Sequence, residues 1–389
     1  MKKVILIVLD SLGAGALPDC HQFGDDNPHT LQSLYDIHPE IRYPNLEKMG
    51  LRNIITAELA KHTDTIAAYG RLAELSNGKD TTTGHWEMCG IITEKPLATY
   101  PQGFPREMLQ PLLEYLGTDI LGNEAASGTE IIERLGREHI ASKKPIIYTS
   151  ADSVLQIAAH EEVIPLDRLY EICAKARELY REQPYQVGRI IARPFYGEPG
   201  TFIRDNAARR DYALNPPQPN LLTVLQQQGY EVMAVGKIDD IFAHQGITHA
   251  VHTKDNMDGV EQTKNCYQNL KNGLIFTNLV EFDAKYGHRR DPYGYAQALA
   301  AFDRRLPEIT EMLDEETLLI ITADHGCDPA AAGSDHTREY VPFIMYHKKI
   351  QNPTFLPDGE SLADIGATIA EYLGTSYDLP GKSYAEILK

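Results

Sequence analysis

Val4-Ile5-Leu6-Ile7-Val8-Leu9-Asp10 is the stretch that decides the fold, because six apolar residues in a row end at a carboxylate. A continuous apolar run of this length is typical of a parallel strand that is buried on both faces. Three later runs have the same character, at residues 274–280, 317–322 and 340–346. Helical patterns alternate with the strands, at residues 221–228, 293–313 and 363–373. This order predicts an α/β fold with βαβ units and a mostly parallel sheet.

Side chains that bind metals lie at the ends of these predicted strands. Six of them are candidates: Asp10, Asp283, His288, Asp324, His325 and His336. Because strand ends in an open α/β sheet converge on one crevice, we expect the six to lie close together. Carboxylate oxygen and imidazole nitrogen suit Mn²⁺, Zn²⁺ or Fe²⁺. A single Asp after a strand is often only a helix N-cap, but the joint placement predicts a two-metal site of the kind that acts on phosphoryl groups.

A run of three threonines, Thr81, Thr82 and Thr83, lies between glycines and ahead of a helix predicted to begin near Thr83. Backbone N–H groups and the helix dipole favour phosphate at such a position. A threonine oxygen activated by a metal would be a nucleophile toward a phosphoryl group. The alternative interpretation is that the threonines only cap the helix. The residues alone leave open which threonine reacts.

The formal net charge of −18 means that a phosphorylated substrate would be repelled unless cations were gathered locally. Six basic residues fall in or near predicted loops: Arg189, Arg193, Arg204, Arg209, Arg210 and Lys237. Guanidinium groups match phosphate oxygens in two-point contacts. For Arg209 and Arg210, a solvated surface charge is an equally good interpretation.

The length of 389 residues exceeds what one hydrophobic core usually holds, so two domains are expected. Proline and glycine punctuate both borders of residues 95–213, which we interpret as an inserted α/β cap domain. Inside it, helices are predicted at residues 106–116 and 166–180, and strands at 145–148 and 187–192. The core domain is then discontinuous, at residues 1–94 and 214–389. The cap is expected to carry Ser150, Asp152, Arg189 and Arg204 over the metals.

Composition argues against several other classes of protein. Five scattered cysteines indicate a reduced chain without a disulfide framework. The pI of about 5.2 and the lack of a basic tract disfavour nucleic acid. Asp10 interrupts the apolar start that imitates a signal peptide, and no window approaches the ~18 apolar residues of a membrane span. We therefore expect a cytoplasmic protein, by default a monomer, that binds small molecules.

Seven segments resemble the bacterial phosphopentomutases of the alkaline phosphatase superfamily and follow the order of that family. They are residues 8–15, 78–87, 148–162, 188–195, 287–292, 322–329 and 335–342. The Asp-His pairs in the last two segments mark only the superfamily. The segments at residues 79–86 and 150–158 are specific to the mutase family. The resemblance implies an alkaline phosphatase-like core with an inserted cap.

The resemblance also implies roles for individual residues. Thr81 is the residue that carries a phosphoryl group between turnovers. Two Mn²⁺ ions, for which other divalent ions are possible substitutes, are held by Asp283, His288 and His336 and by Asp10, Asp324 and His325. The phosphate of the incoming sugar is held by Arg189, Arg204 and Lys237, and the ribose end by Ser150 and Asp152. Residues 207–211 read A-A-R-R-D where the family tends to carry N-R-H-D, which leaves the role of this loop open.

The activity implied is the interconversion of ribose 1-phosphate and ribose 5-phosphate, with the deoxyribose pair also accepted. It would pass through a bound 1,5-bisphosphate, and a sugar bisphosphate such as glucose 1,6-bisphosphate would phosphorylate the enzyme first. A metal-dependent phosphatase or phosphodiesterase is the main alternative, because it would share every metal ligand and differ only in using water. A metal-binding protein without catalysis is an alternative of another class.

Overall fold

The computed structural model describes residues 1–55, 64–150, 153–350 and 353–388. The chain forms two compact units. The core unit is Met1–Pro96 with Pro216–Lys389, and the inserted unit is Leu97–Asn215. These borders follow residues 96 and 215, where the sequence predicted borders after 94 and 213. Within the described ranges, no helix is both long enough and apolar enough to cross a membrane.

The strands of the described residues are, in chain order, β1 (Lys3–Leu9), β2 (Ala68–Leu72), β3 (Leu121–Ala125), β4 (Ile146–Thr149), β5 (Val154–His160), β6 (Arg189–Tyr196), β7 (Ile203–Arg204), β8 (Arg210–Ala213), β9 (Glu231–Val235), β10 (His249–Val251), β11 (Gly273–Leu279), β12 (Thr317–Thr322) and β13 (Val341–Tyr346).

The α-helices are α1 (Thr30–Ile37), α2 (Pro44–Lys48), α3 (Leu51–Ile55), α4 (Thr81–Met88), α5 (Arg106–Leu116), α6 (Gly128–Ser142), α7 (Leu166–Leu179), α8 (Leu221–Gln227), α9 (Ile238–Ile241), α10 (Asn256–Asn269), α11 (Pro292–Met312) and α12 (Ala363–Leu373). A π-helix spans Phe282–Gly287, and short 3₁₀ helices span Cys20–Phe23 and Ala385–Leu388.

The core unit is built on a seven-stranded sheet in the order β10-β9-β11-β1-β12-β13-β2. The first five strands in this order are parallel, and β13 is antiparallel to both of its neighbours. All seven residues of β11 and all six of β12 are buried, as expected of strands covered on both faces. The predicted α/β fold with a mostly parallel sheet is confirmed, and so are the four strands and three helices predicted for this unit.

The direction of β13 decides where the predicted metal ligands meet. Asp10 and Asp324 follow parallel strands, so both lie at the carboxyl edge of the sheet. His336 precedes its strand, and in a parallel sheet it would lie at the opposite edge. Because β13 runs antiparallel to β12, its amino end is at the same edge as the carboxyl ends of β1 and β12. One reversed strand therefore brings His336 to the other ligands.

The inserted unit has a mixed six-stranded sheet in the order β3-β4-β5-β6-β7, and β8 pairs with β6. One face packs against α5 and α7, where Met108 and Leu169 belong to the larger apolar cluster. The other face packs against α6 through a second cluster that contains Ile131, Tyr148 and Phe195. The helices predicted at residues 106–116 and 166–180 are confirmed, whereas α6 and β5 were not predicted.

Candidate metal centre and nucleophile

Asp10, Asp324 and His325 form the first group of possible metal ligands. Asp10 follows β1, and the other two residues follow β12. The Nε2 atom of His325 lies 3.6 Å from Oδ1 of Asp10 and 3.3 Å from Oδ2 of Asp324. All three side chains are completely buried. The structure thus brings together one ligand nitrogen and two carboxylates from strands that are adjacent in the sheet.

Asp283, His288 and His336 form the second group. Asp283 lies in the π-helix that follows β11, and His288 comes directly after that helix. The two carboxylate oxygens of Asp283 lie 3.4 Å from Nε2 of His288 and 3.4 Å from Nε2 of His336. The two imidazole nitrogens are 3.0 Å apart. The sulfur of Cys327 also lies close to Asp283 and His288, so the cysteine is a geometric alternative as a ligand.

The two groups are neighbours, because the ring centroids of His325 and His336 are 4.0 Å apart. All six predicted ligands therefore lie in one cluster. The hydrogen bonding of the three carboxylates also fits divalent cations. Three buried carboxylate oxygens make no hydrogen bond of good geometry, and the imidazole nitrogens nearest to them lie at 3.6, 3.4 and 3.1 Å: Oδ1 of Asp10, Oδ1 of Asp283 and Oδ2 of Asp324. A buried acceptor without a partner is unfavourable, and a cation would provide the partner that each oxygen lacks.

The carboxylates differ in their pKa values because their neighbours differ. Burial, together with the charges of Asp324 and Asp283, raises the pKa of Asp10 well above its usual range. Burial acts in the same direction on Asp324, but His325 and His85 outweigh it and lower the pKa of Asp324 to about 2. Two adjacent carboxylates that respond in opposite directions are expected where like charges share a site without a cation.

Thr81 is the threonine that lies next to this cluster. Its Oγ1 atom is 3.3 Å from Nε2 of His325. Asp80 is the N-cap of α4 and accepts hydrogen bonds from the backbone N–H groups of Thr82 and Thr83 at 3.0 and 3.1 Å. The helix thus begins at Thr81, not near Thr83 as predicted. The hydroxyl of Thr83 donates a hydrogen bond to the Asp80 carboxylate at 2.6 Å, so this hydroxyl is part of the helix cap.

The close approach of α4 to the ligand segment requires a glycine at position 84. A Cβ atom on Gly84 would lie 2.1 Å from the backbone oxygen of Asp324. No larger residue could occupy this position without moving the helix. The Gly84 position therefore fixes how near Thr81 can come to the metal ligands.

His85 and Asn278 connect Thr81 to the predicted ligands, and the sequence did not predict them as site residues. The Nδ2 atom of Asn278 donates to Oδ2 of Asp10 at 2.8 Å and lies 3.2 Å from Nε2 of His85. Because the carboxylate is an acceptor, the amide NH₂ group faces it, and the same NH₂ group donates to His85. The proton of the neutral imidazole is then on Nδ1, 2.8 Å from the backbone oxygen of Thr81. A buried asparagine in an apolar strand was the signal for this network.

Lys237 lies in the core unit, two residues after the end of β9, and is the N-cap of α9. It is close enough to Asp10 to lower the pKa of that carboxyl group, although burial raises that pKa more. Lys79 is held by ion pairs with Asp25 at 3.1 Å and Asp335 at 3.3 Å. The acidic cluster thus has nearby cationic side chains of its own.

The remaining predicted substrate contacts belong to the inserted unit. Ser150 follows β4, and Asp152 lies outside the described residues. Arg189 begins β6, whereas Arg204 on β7 pairs with Phe195, six residues further along β6. Six residues of strand span about 20 Å, so the backbone positions of Arg189 and Arg204 are well separated.

The two arginines of uncertain role are engaged elsewhere in the inserted unit. The guanidinium of Arg209 makes two hydrogen bonds to the carboxylate of Asp211, at 2.6 and 2.5 Å. The guanidinium of Arg210 lies over the ring of Tyr170 at 3.8 Å. These contacts explain the positions of the two arginine side chains, and no bound ligand is needed to explain them.

Comparison with known proteins places this site in a class. A family model described as the metalloenzyme superfamily matches residues 2–377. The fold agrees, because the chain resembles the PH0037 protein of Pyrococcus horikoshii with a TM-score of 0.51, at 16% identity over 98% of this chain and 99% of that one. A phosphoglycerate mutase of Leishmania mexicana has the same TM-score, at 12% identity over 97% and 96% of the two chains. At such low sequence identities, the similarity shows only that the folds are alike.

Much closer relatives identify the family within this class. The chain is 53% identical to a phosphopentomutase of Caldanaerobacter subterraneus, over 98% of this chain and 99% of that protein. It is 52% identical to a phosphopentomutase of Desulfitobacterium hafniense, over 99% of each. The chain belongs to the phosphopentomutase family of the metalloenzyme superfamily. The resemblance seen in the seven sequence segments is confirmed, and the protein is an enzyme.

Proposed function

We propose that this enzyme interconverts ribose 1-phosphate and ribose 5-phosphate, and the corresponding deoxyribose phosphates. Relatives that share about half of its residues over their full length are named for this activity. The observation that carries the proposal is the 3.3 Å distance between Oγ1 of Thr81 and Nε2 of His325. This distance supports the proposal because a hydroxyl group lies beside six side chains of the types that bind metals.

The proposal includes two divalent cations, for which Mn²⁺ is one suitable ion. The donors would be Asp10, Asp324 and His325 for one ion and Asp283, His288 and His336 for the other. When bound, the two cations would stabilise the negative charge of a phosphoryl group during its transfer. The oxygens without hydrogen bonds in Asp10, Asp283 and Asp324 support this assignment.

Thr81 would carry the phosphoryl group. In the first half-reaction, the bond between phosphorus and the Thr81 oxygen breaks while a new bond forms to the free hydroxyl of a sugar monophosphate, and the proton of that hydroxyl passes to the Thr81 oxygen. The product is a bound 1,5-bisphosphate. In the second half-reaction, the other phosphoryl group of this intermediate returns to Thr81. A sugar bisphosphate such as glucose 1,6-bisphosphate would supply the first phosphoryl group.

The other residues of the chain would bind and orient the substrate. Arg189, Arg204 and Lys237 would contact phosphate oxygens, and Ser150 and Asp152 would contact the ribose. His85 holds the backbone oxygen of Thr81 and so keeps the nucleophile next to His325. A fixed distance between the reacting groups lowers the entropic part of the barrier. The amino end of α4 adds a favourable dipole for phosphorylated Thr81.

The test is to replace Thr81 by Ala and to compare this variant with Thr82→Ala. We expect Thr81→Ala to lose isomerisation by at least roughly a thousandfold, because the phosphoryl carrier is gone. Thr82→Ala should keep activity within about twofold, because the threonine whose hydroxyl lies beside His325 is Thr81. Metal content should be the same in both variants and the wild type.

Two further measurements separate this proposal from its alternatives. Mass mapping after incubation with glucose 1,6-bisphosphate should find phosphate on Thr81, and phosphate on Thr82 or Thr83 instead would contradict the assignment. Free phosphate should be released far more slowly than the isomer is formed. A phosphatase would show the reverse ratio, and a binding protein without catalysis would show neither product.

A further inference from the structure

Residues 73–80, here called the α4 loop, lead from the end of β2 to Thr81. Within these residues there is no helix or strand, so the position of the loop depends on its contacts with other parts of the chain. Because Thr81 follows directly, the position of the loop decides where the Thr81 hydroxyl lies. Two buried charged side chains, Arg338 and Glu87, hold the loop.

Arg338 binds three backbone carbonyl groups of the α4 loop. Its Nη1 atom donates hydrogen bonds to the backbone oxygens of Ser76 at 2.8 Å and Gly78 at 2.6 Å. Its Nη2 atom donates to the backbone oxygen of Glu74 at 2.7 Å. The side chain of Arg338 is only 3% exposed. One guanidinium therefore fixes the path of the loop at three positions.

The charge of Arg338 is balanced by two carboxylates. The carboxylate of Asp19 accepts hydrogen bonds from Nε at 3.2 Å and from Nη2 at 3.0 Å. The carboxylate of Glu74, which is itself part of the α4 loop, lies 3.1 Å from Nη1. A buried ion pair is often no more stabilising than apolar side chains of the same volume. The definite geometry of its hydrogen bonds is thus a better explanation for Arg338 than stability alone.

Glu87 on α4 binds the same loop through its N–H groups. The carboxylate accepts hydrogen bonds from the backbone of Leu75 at 2.9 Å and of Ser76 at 2.6 Å. The side chain of Glu87 is completely buried. The donors of the loop are therefore tied to the helix that begins with Thr81, and its acceptors are tied to Arg338.

The backbone of Arg338 is fixed relative to the predicted metal ligands. Arg338 comes two residues after His336. The residue between them, Thr337, exchanges two backbone hydrogen bonds with Gly326, at 3.1 and 2.8 Å. Gly326 in turn directly follows His325. The segment that carries Arg338 is thus attached to the segments of two ligands.

We propose that Arg338 is a positioning residue, which holds the α4 loop and thereby sets the distance between Thr81 and the predicted metal ligands. That Thr81 carries the phosphoryl group rests on the proposed function, whereas the contact of Arg338 with the loop does not. A guanidinium suits this task because its N–H donors lie in one rigid plane and can reach several acceptors at once. A misplacement of the reacting group by about 1 Å can slow a reaction about a hundredfold.

The test compares Arg338→Lys with Arg42→Lys in the full chain with Mn²⁺. Arg42 is the matched control because its guanidinium also makes a two-point contact with one carboxylate, that of Glu47, at 3.1 and 2.7 Å. Lysine keeps the charge in both variants but cannot reproduce the planar set of donors. Phosphorylation of Thr81 by glucose 1,6-bisphosphate, measured in a single turnover, should slow at least about tenfold in Arg338→Lys and less than about twofold in Arg42→Lys.

Two further measurements distinguish positioning from a general loss of stability. For ribose 5-phosphate, kcat should fall in Arg338→Lys while KM and the bound Mn²⁺ stay near the wild-type values. Backbone amides of the α4 loop should exchange hydrogen faster in Arg338→Lys, whereas those of β12 should exchange as in the wild type. An arginine that only stabilised the core unit would change the exchange of both segments and would leave kcat unchanged in the folded protein.

Gly78→Ala tests the same relation without changing Arg338. A Cβ atom at this position would lie 2.8 Å from Cγ2 of Thr83, so the α4 loop has to move. This variant should also lose kcat and keep KM. The proposal is overturned if Gly78→Ala keeps the wild-type kcat, if the two lysine variants phosphorylate equally fast, or if Arg338→Lys loses Mn²⁺. If the wild type is not phosphorylated on Thr81 but the exchange pattern is found, the proposed function fails and the role of Arg338 in holding the loop stands.

Discussion

The ligand edge of the core unit and the surroundings of Tyr148 in the inserted unit differ in charge. In the core unit, Asp10, Asp283 and Asp324 are buried close together, and one oxygen of each makes no hydrogen bond of good geometry. In the inserted unit, the charges of Arg193, Arg204 and Arg209 act on the buried hydroxyl of Tyr148 and partly offset the burial that raises its pKa. One region gathers carboxylates, and the other gathers guanidinium groups.

This difference shows how an acidic chain can act on phosphates. A net charge of −18 repels a phosphorylated substrate at long range. Two cations would reverse the charge at the ligand edge, and arginines are concentrated in the inserted unit. Like charges held close together reduce the stability of a unit, so a ligand of the opposite charge should stabilise the unit that it binds. The predictions below test this relation, starting with the largest effect.

Metal removal should destabilise the core unit and leave the inserted unit as it was. Trp86, the single tryptophan, lies on α4 in the core unit, so its fluorescence reports unfolding of that unit. A ligand at 100 times its dissociation constant adds about 2.7 kcal/mol of stability. Mn²⁺ should therefore raise the midpoint of the Trp86 transition in chelator-treated protein by roughly 5–10 °C for each ion.

Inorganic phosphate is the control for this experiment, because it should not shift the Trp86 transition in the absence of metal. A variant with Asp283 and Asp324 both changed to Ala should lose the response to Mn²⁺. If Mn²⁺ left the Trp86 midpoint unchanged in the wild type, the carboxylates without hydrogen bonds would need another explanation.

Asn278→Ala should have the next largest effect, because it removes the donor that holds Asp10. A hydrogen bond to a buried charged group contributes about 1.5–3 kcal/mol, so the metal-free variant should lose about that much free energy of unfolding. Residues that orient metal ligands typically change metal affinity 10- to 100-fold. Urea titration and direct measurement of Mn²⁺ binding check the two effects separately. Asn265→Ala, at an exposed position on α10, is the control.

If Asn278→Ala lost stability but bound both ions as tightly as the wild type, the asparagine would only support the strand. If instead the metal affinity fell and activity returned at high Mn²⁺ concentration, its role would be to orient Asp10. The second result would extend the site beyond the six ligands to the network that includes His85.

The sequence predicted the regular parts of the core unit closely, because they depend on local patterns. Residues 317–322 and 363–373 were predicted with the bounds that the structure has, and Gly374 ends α12 in the left-handed conformation. The six ligands could be chosen because strand ends converge. Their division between two ions came only from family resemblance, since spacing does not reveal which strand is reversed. The antiparallel direction of β13 was needed for His336 and was not predicted.

Other features could not be predicted from the sequence, for different physical reasons. The helix α6 was missed in the inserted unit. Whether a buried hydroxyl or carboxylate has a partner depends on contacts between distant residues, as for Asp10 and Asn278, which are 268 positions apart. Among the three threonines, only the position of α4 against Asp324 distinguishes Thr81.

Cys327→Ala is expected to have the smallest effect, and this variant tests the assignment of the metal ligands in the core unit. The Cys327 sulfur is as close to Asp283 and His288 as a ligand would be, so geometry allows it to replace His336. Burial, aided by nearby carboxylates, raises the pKa of the Cys327 thiol, and a neutral thiol is a poor ligand for Mn²⁺. The variant should bind two ions and lose about 1 kcal/mol of stability through poorer packing. His336→Ala should bind one ion fewer. The reverse outcome, with an ion lost only from Cys327→Ala, would put sulfur among the ligands and favour a softer metal such as Zn²⁺.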